Sequence, residues 1–166
     1  MTQYCVVVVD GARARFFTLQ PAELPELESS PRLVELEDLV NPEAEVPDRE
    51  LWTEAKTGRN RAPNGGPAHG YDDHRERHED ELERRFANSV GEHCEALARR
   101  EKADVIVLAA QKRMLGFLRQ TVVPRLKGME VKEYTKDLSK LGPQEIHDHL
   151  AREALVPERK PPASRA

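Results

Sequence analysis

Four consecutive valines, Val6 to Val9, run directly into Asp10-Gly11, and this stretch constrains the fold more than any other. β-Branched side chains favour extended backbone. An unbroken apolar run has no polar side to offer water, so residues 3–10 read as a strand buried on both faces. Such a strand belongs in the middle of a sheet with a layer on each side. Asp-Gly is a hairpin signal. The next strand, residues 13–20 around Phe16, Phe17 and Leu19, therefore pairs antiparallel with the first, with Arg13 and Arg15 expected to alternate outward. Residues 32–38, where Leu33, Val34 and Leu36 are interleaved with charged residues, extend the meander to a third strand.

The second half of the chain changes period. Leu82, Phe86, Val90, Cys94 and Leu97 recur every three to four residues, the stripe of an amphipathic helix over residues 73–102. Asp73 and Glu76 have capping-box spacing at its start. A strand at 104–110 follows. A helix at 113–123 comes next, with Met114, Leu115, Leu118 and Val122 on one side, and Pro124 interrupts it. Residues 129–134 form a fifth strand. The last helix, 143–155, has Pro143 in its first turn and Ile146, Leu150 and Ala154 inward. His147 and His149, two apart, do not share a face. The order β-β-β-loop-α-β-α-β-α predicts an α/β fold: a mixed five-stranded sheet, antiparallel in its first three strands and parallel thereafter, covered by helices. Residues 1–156 form one domain containing a long loop at 40–72. The polar, proline-rich residues 157–166 are expected to be a disordered tail.

Several classes are set aside. No apolar run reaches the roughly 18 residues of a membrane helix. Met1 to Cys5 lacks the basic start of an export signal, so a cytoplasmic location is expected. Cys5 and Cys94 are too few for a disulfide framework or a zinc site and read as packed thiols.

A net charge of −4 says little, but its distribution is uneven. Residues 22–54 hold eleven acids against two arginines, Arg32 and Arg49. Residues 55–71 hold Lys56, Arg59 and Arg61 with no acid, and residues 111–129 hold Lys112, Arg113, Arg119, Arg125 and Lys127, again with none. In the first basic stretch Arg59, Arg61, Asn64, Gly65 and Gly66 combine forked donors with backbone that can approach closely, just before a helix start. That is phosphate-binding chemistry, although the Gly/Lys spacing is neither a P-loop nor a dinucleotide fingerprint. In the second stretch Lys112, Arg119 and Lys127 fall within one quadrant at 100° per residue, with Arg113 beside them. The nucleic-acid-contacting candidates are therefore Arg59, Arg61, Asn64, Gly65, Gly66, Lys112, Arg113 and Arg119. Two other constellations could serve metal-dependent hydrolysis: Asp10 at a strand end, and Asp73-His74 with His78 one turn on. Asp10 is explained by its turn, and the histidines lack an evident third ligand, so no metal, cofactor or catalytic residue is assigned.

Val8-Val9-Asp10-Gly11-Ala12-Arg13-Ala14-Arg15-Phe16-Phe17, Asp48-Arg49-Glu50-Leu51, His78-Glu79 to Phe86-Ala87, Val107 to Leu118, and Lys136-Asp137-Leu138-Ser139-Lys140-Leu141 together resemble the bacterial host attachment protein family. The resemblance covers about residues 4–150. It implies a fold similar to the middle domain of archaeal and eukaryotic release factors and of Pelota, with an RNase H-like sheet order. In release factors a Gly-Gly-Gln loop precedes a long helix. Here Asn64-Gly65-Gly66-Pro67 takes that place, and Pro67 lacks the amide that peptide release requires, so the reaction is not carried over. What the resemblance implies is a non-enzymatic binding module contacting RNA or ribosomes through the Gly/Arg loop. The alternative is a cytosolic protein–protein adaptor working through the acidic 22–54 segment and Trp52, indirectly required for attachment.

Overall fold

The computed structural model describes residues 2–44 and 66–162, the side chains of residues 66–74 excepted. β1 (Tyr4–Val9) lies between β2 (Arg13–Gln20), to which it is antiparallel, and β4 (Val105–Ala110), to which it is parallel. β3 (Arg32–Val40) and β5 (Glu130–Thr135) are the edges, giving the order β3-β2-β1-β4-β5. Among the described residues, helices α1 (Gly66–Arg100), α2 (Lys112–Thr121) and α3 (Pro143–Arg152), with a 3-10 turn at Val123–Arg125, accompany the sheet in this α/β fold.

Strand alternation divides the core into two layers. Cys5, Val7 and Val9 of β1, with Ile106 and Leu108 of β4, pack under α1 and α2 against Phe86, Val90, Leu97, Leu115 and Leu118. Val6 and Val8, with Val107, face α3 and meet Ile146 and Leu150. Each valine of the run is 0% exposed, as a central strand requires.

β3 carries a feature its alternation does not announce. Phe17 pairs with Glu35 and Phe16 with Glu37, leaving Leu36 as the extra residue of a β-bulge. The bulge resets which face each later residue meets. Leu33 joins the α3 layer and Leu39 the α1 layer, and Leu36 is left partly exposed.

Several element ends differ from expectation. α1 begins at Gly66, so Asp73 and Glu76 fall within it rather than cap it; Pro67, in its first turn, forfeits no helical hydrogen bond. α2 ends at Thr121 because Pro124 cannot continue it, and the 3-10 turn follows. α3 stops at Arg152. Ala154 is exposed, not inward: it takes φ 57°, with Leu155 N–H bonded to the Leu150 carbonyl at 3.0 Å. This reversal returns Val156 to the core. The tail residues read as disordered run along the body as far as Lys160. Ser30 and Lys160 exchange two backbone hydrogen bonds, Arg159 pairs with Asp148 at 3.1 Å, and the fully buried His147 places Nε2 2.8 Å from the Pro157 carbonyl.

One close approach fixes how α1 crosses the end of α2. A Cβ at Gly91 would lie 2.9 Å from the Thr121 carbonyl oxygen and 3.1 Å from Arg125 Nε. Alanine is worth about 1 kcal/mol over glycine inside a helix, whereas forcing atoms into a filled space costs about 1–3 kcal/mol. Backbone cannot move aside as a flexible side chain can. Gly91→Ala should therefore lower unfolding stability by about 1 kcal/mol. Gly116→Ala on α2, where nothing lies within 4 Å, should raise it by a similar amount. Denaturant titration of both variants checks the contrast; a stabilised Gly91→Ala would mean the two helices are free to separate.

Candidate nucleic-acid interface

β1, β4 and β5 are parallel, so their carboxyl ends share one edge of the sheet, and β3 ends there too, with Val40 opposite Arg13. Four segments leave this edge. The first is the turn from Asp10 to Arg13. Asp10 Oδ1 accepts hydrogen bonds from Ala12 N–H (2.7 Å) and Arg13 N–H (2.8 Å), so the carboxylate holds the turn in shape. The second is Gln111, leading into α2. The third is residues 136–142, leading into α3. The fourth is the exit of β3, tied down by the buried Asn41: its N–H donates to the Ala12 carbonyl at 2.8 Å and its Nδ2 to the Gly11 carbonyl at 3.1 Å.

α1 reaches the body at the same edge, where Arg85 pairs with Glu43 at 3.7 Å and Arg113 of α2 pairs with both Asp80 and Glu83. Before Phe86 no described side chain of α1 is buried. At 1.5 Å per residue, residues 66–79 form an arm of α1 about 20 Å long, ahead of the first described buried residue, Phe86. A helix polar all round depends on its own charge pairs. Arg75–Glu79 and Glu81–Arg85, each one turn apart, supply them. In the chain, residues 45–65 lie between the exit of β3 and the start of α1.

The sequence candidates sort unequally on this frame. Arg59, Arg61, Asn64 and Gly65 lie outside the described residues, as do Trp52 and the Asp48-Arg49-Glu50-Leu51 stretch. Gly66 is the first residue of α1 and Lys112 the first of α2, exposed at the edge. Arg113 is exposed but paired with the two acids of α1. Arg119 makes a two-pronged contact with Glu133 of β5, its shortest hydrogen bond 2.6 Å, and Arg125 folds back onto Glu95 and Asn88 of α1. The expected quadrant of Lys112, Arg119 and Lys127 does not form. The helix ends before Lys127, and acids from other elements meet the intervening arginines.

Between Asp10, Gly11, Glu83, Gln111, Arg113 and Met114 lies a cavity of about 170 Å³. Burial raises the Glu83 carboxyl pKa above its ordinary value, and Arg113 works against that rise. With Asp10 engaged in its turn and Arg113 spanning Asp80 and Glu83, this corner is knitted together by its own charges. Among the described residues no three His, Cys, Asp or Glu side chains converge to hold a metal ion. His78 is exposed on the arm, and the side chain of His74 lies outside the described set. Cys5 and Cys94 are buried free thiols, pushed up to about 12 chiefly by desolvation, which makes them poor nucleophiles. No described helix is long and apolar enough to cross a membrane.

Three residues carry features that local sequence does not signal. Arg15 is buried, not outward: it is 7% exposed and bonded to Glu35 and to carbonyls of the 136–142 segment. Lys136 and Lys140 stand exposed in that segment at the same edge as Lys112. A model of the family described as protein required for attachment to host cells matches residues 5–150. No curated protein matches the chain.

Proposed function

The chain belongs to the family of proteins required for attachment to host cells, a name that records a phenotype, and we propose that its chemistry is that of a non-enzymatic binding module contacting RNA or the ribosome through the Gly/Arg loop. One observation carries this reading. The sheet body supports a 35-residue helix whose side chains at residues 75–78 are exposed, and the segment containing Arg59, Arg61, Asn64, Gly65 and Gly66 leads in the chain from the carboxyl edge into that helix. A loop before a long projecting helix is also the arrangement behind the resemblance to release-factor middle domains, and the three-stranded meander followed by two parallel strands supports the same relation. Pro67 in place of glutamine leaves a contact without a release reaction.

The test is binding to ribosomes and to a short single-stranded RNA across a salt series. Phosphate contacts release counterions, so affinity should fall steeply with salt, by a log–log slope of about 0.7 per contacted phosphate on single strands. Arg59→Ala/Arg61→Ala should weaken binding and flatten that slope. A variant with unchanged affinity and slope removes the loop from the interface, and no binding by the unaltered protein at low salt ends the reading.

The adaptor reading is favoured by a different observation. Leu24 and Leu27, 55% and 72% exposed, project from the acidic turn between β2 and β3. A protein partner retained after ribonuclease and high salt, and lost in Leu24→Ser/Leu27→Ser, would put this surface first.

A further inference from the structure

The carboxyl edge carries a second cationic element, fixed from beneath. Arg15 on β2 is enclosed between the sheet and the segment after β5. Its Nε and Nη2 donate to Glu35 at 3.0 and 2.7 Å, its guanidinium lies 5.1 Å from the centre of the Phe17 ring, and Nη1 donates to the carbonyls of Ser139 and Leu141 at 3.1 and 2.5 Å. Those carbonyls flank Lys140. Asp137 folds the other half of the loop: its Oδ1 accepts from the Ser139 N–H at 2.9 Å and from the Ser139 hydroxyl at 2.6 Å. Leu138 between them is fully buried. The backbone is therefore held at residues 139 and 141, while Lys136 and Lys140 are exposed.

Neither lysine pairs with a described acid, although Arg13 and Arg113 at the same edge both do. Lys112 stands beside them, because Ala110 and Thr135 are register partners on neighbouring strands. The arginines here are spent on the body and the lysines are left to solvent. A loop that is already ordered loses little freedom on binding, and an ammonium suits a phosphate oxygen as a point charge.

We propose that the 136–141 loop is a second phosphate-contacting element, in which Lys136 and Lys140, the latter between the two carbonyls that the buried Arg15 holds, meet the backbone of a single-stranded RNA beside Lys112. This rests on the RNA reading above but concerns a different part of the surface. Free RNA and ribosomal RNA offer the same chemistry, so both are probed.

The experiment measures affinity for a short oligouridylate and for purified ribosomes between 50 and 200 mM salt, conditions set by the general salt dependence of phosphate binding. Lys136→Ala/Lys140→Ala should flatten the slope by about 1.4, so the unaltered protein loses roughly sevenfold more affinity over that range than the variant. Lys102→Ala/Lys160→Ala, which removes equal charge at the opposite edge, should leave the slope unchanged. If both pairs flatten it equally, the effect is net charge and the proposal falls. If the Lys136/Lys140 variant keeps the full slope while Arg59→Ala/Arg61→Ala reduces it, this loop is not a contact and the Gly/Arg reading stands alone. If the unaltered protein shows no salt-dependent binding to either probe, both fall. A binding loss confined to ribosomes would place the contact on ribosomal RNA.

Discussion

Arg15→Met should lower unfolding stability by about 3 kcal/mol, because it leaves an acid and two carbonyls without their donor in a closed space. Arg15 joins three parts of the chain that sequence keeps apart: β2, Glu35 on β3, and the loop at Ser139 and Leu141. A hydrophobic side chain of similar length fills the volume but satisfies none of these groups. Glu35 keeps part of its side chain in water, which limits the loss to the lower end of what breaking a buried pair costs. For a chain of this size the loss corresponds to a melting point lower by about 10 °C. Arg15→Lys should recover only part of it, since one ammonium cannot reach a carboxylate and two carbonyls with the geometry of a planar fork. Adding Glu35→Leu to Arg15→Met should restore stability relative to the single variant, because the orphaned acid is removed with its partner. Thermal melts of the three proteins check this. A single variant as stable as the starting protein would show that the loop holds its place without Arg15.

The same residue marks where sequence reading stops. The valine run placed β1 at the centre with both faces covered, and Asp10-Gly11 placed its antiparallel partner. Local chemistry sufficed for both. Arg15 read as outward because alternation beside Ala14 and Phe16 leaves the other face open to either water or a lid. The lid comes from residues 139–141, which no local pattern connects to β2. The bulge at Leu36 was hidden for a related reason: Glu35-Leu36-Glu37 continues a plausible alternation, and only the pairing of Phe16 and Phe17 shows that one residue is extra. At the interface the error was electrostatic. Residues 111–129 contain no acid, so five cations looked free. Folding brings Asp80, Glu83, Glu95 and Glu133 to three of them, and the lysines that meet no described acid are Lys112 and Lys127, together with Lys136 and Lys140 of the segment after β5.

Phe16 and Phe17 show how far the two core layers are independent. They are neighbours in sequence and both 0% exposed, yet Phe16 packs in the layer under α1 and α2 and Phe17 in the layer under α3. Truncating either to alanine should cost about 3–5 kcal/mol, the transfer of a buried ring plus the cavity left where the surroundings cannot close. The consequences should differ in place. Phe16→Ala removes the ring stacked 6.1 Å from His93 and loosens the contact of α1 with β2, whereas Phe17→Ala removes the ring beneath the Arg15 guanidinium and loosens the loop it clamps. Hydrogen exchange should therefore quicken first in α1 for one variant and in residues 136–142 for the other. The sheet separates the cavities and the two rings belong to different core clusters, so the losses should add to within about 0.5 kcal/mol. Their sum, about 6–10 kcal/mol, matches the whole stability of an ordinary domain. Phe16→Ala/Phe17→Ala should then have no cooperative melt, while each single variant keeps one. A double variant that still unfolds cooperatively, or single variants that loosen the same segment, would mean that the layers flanking β2 behave as one core.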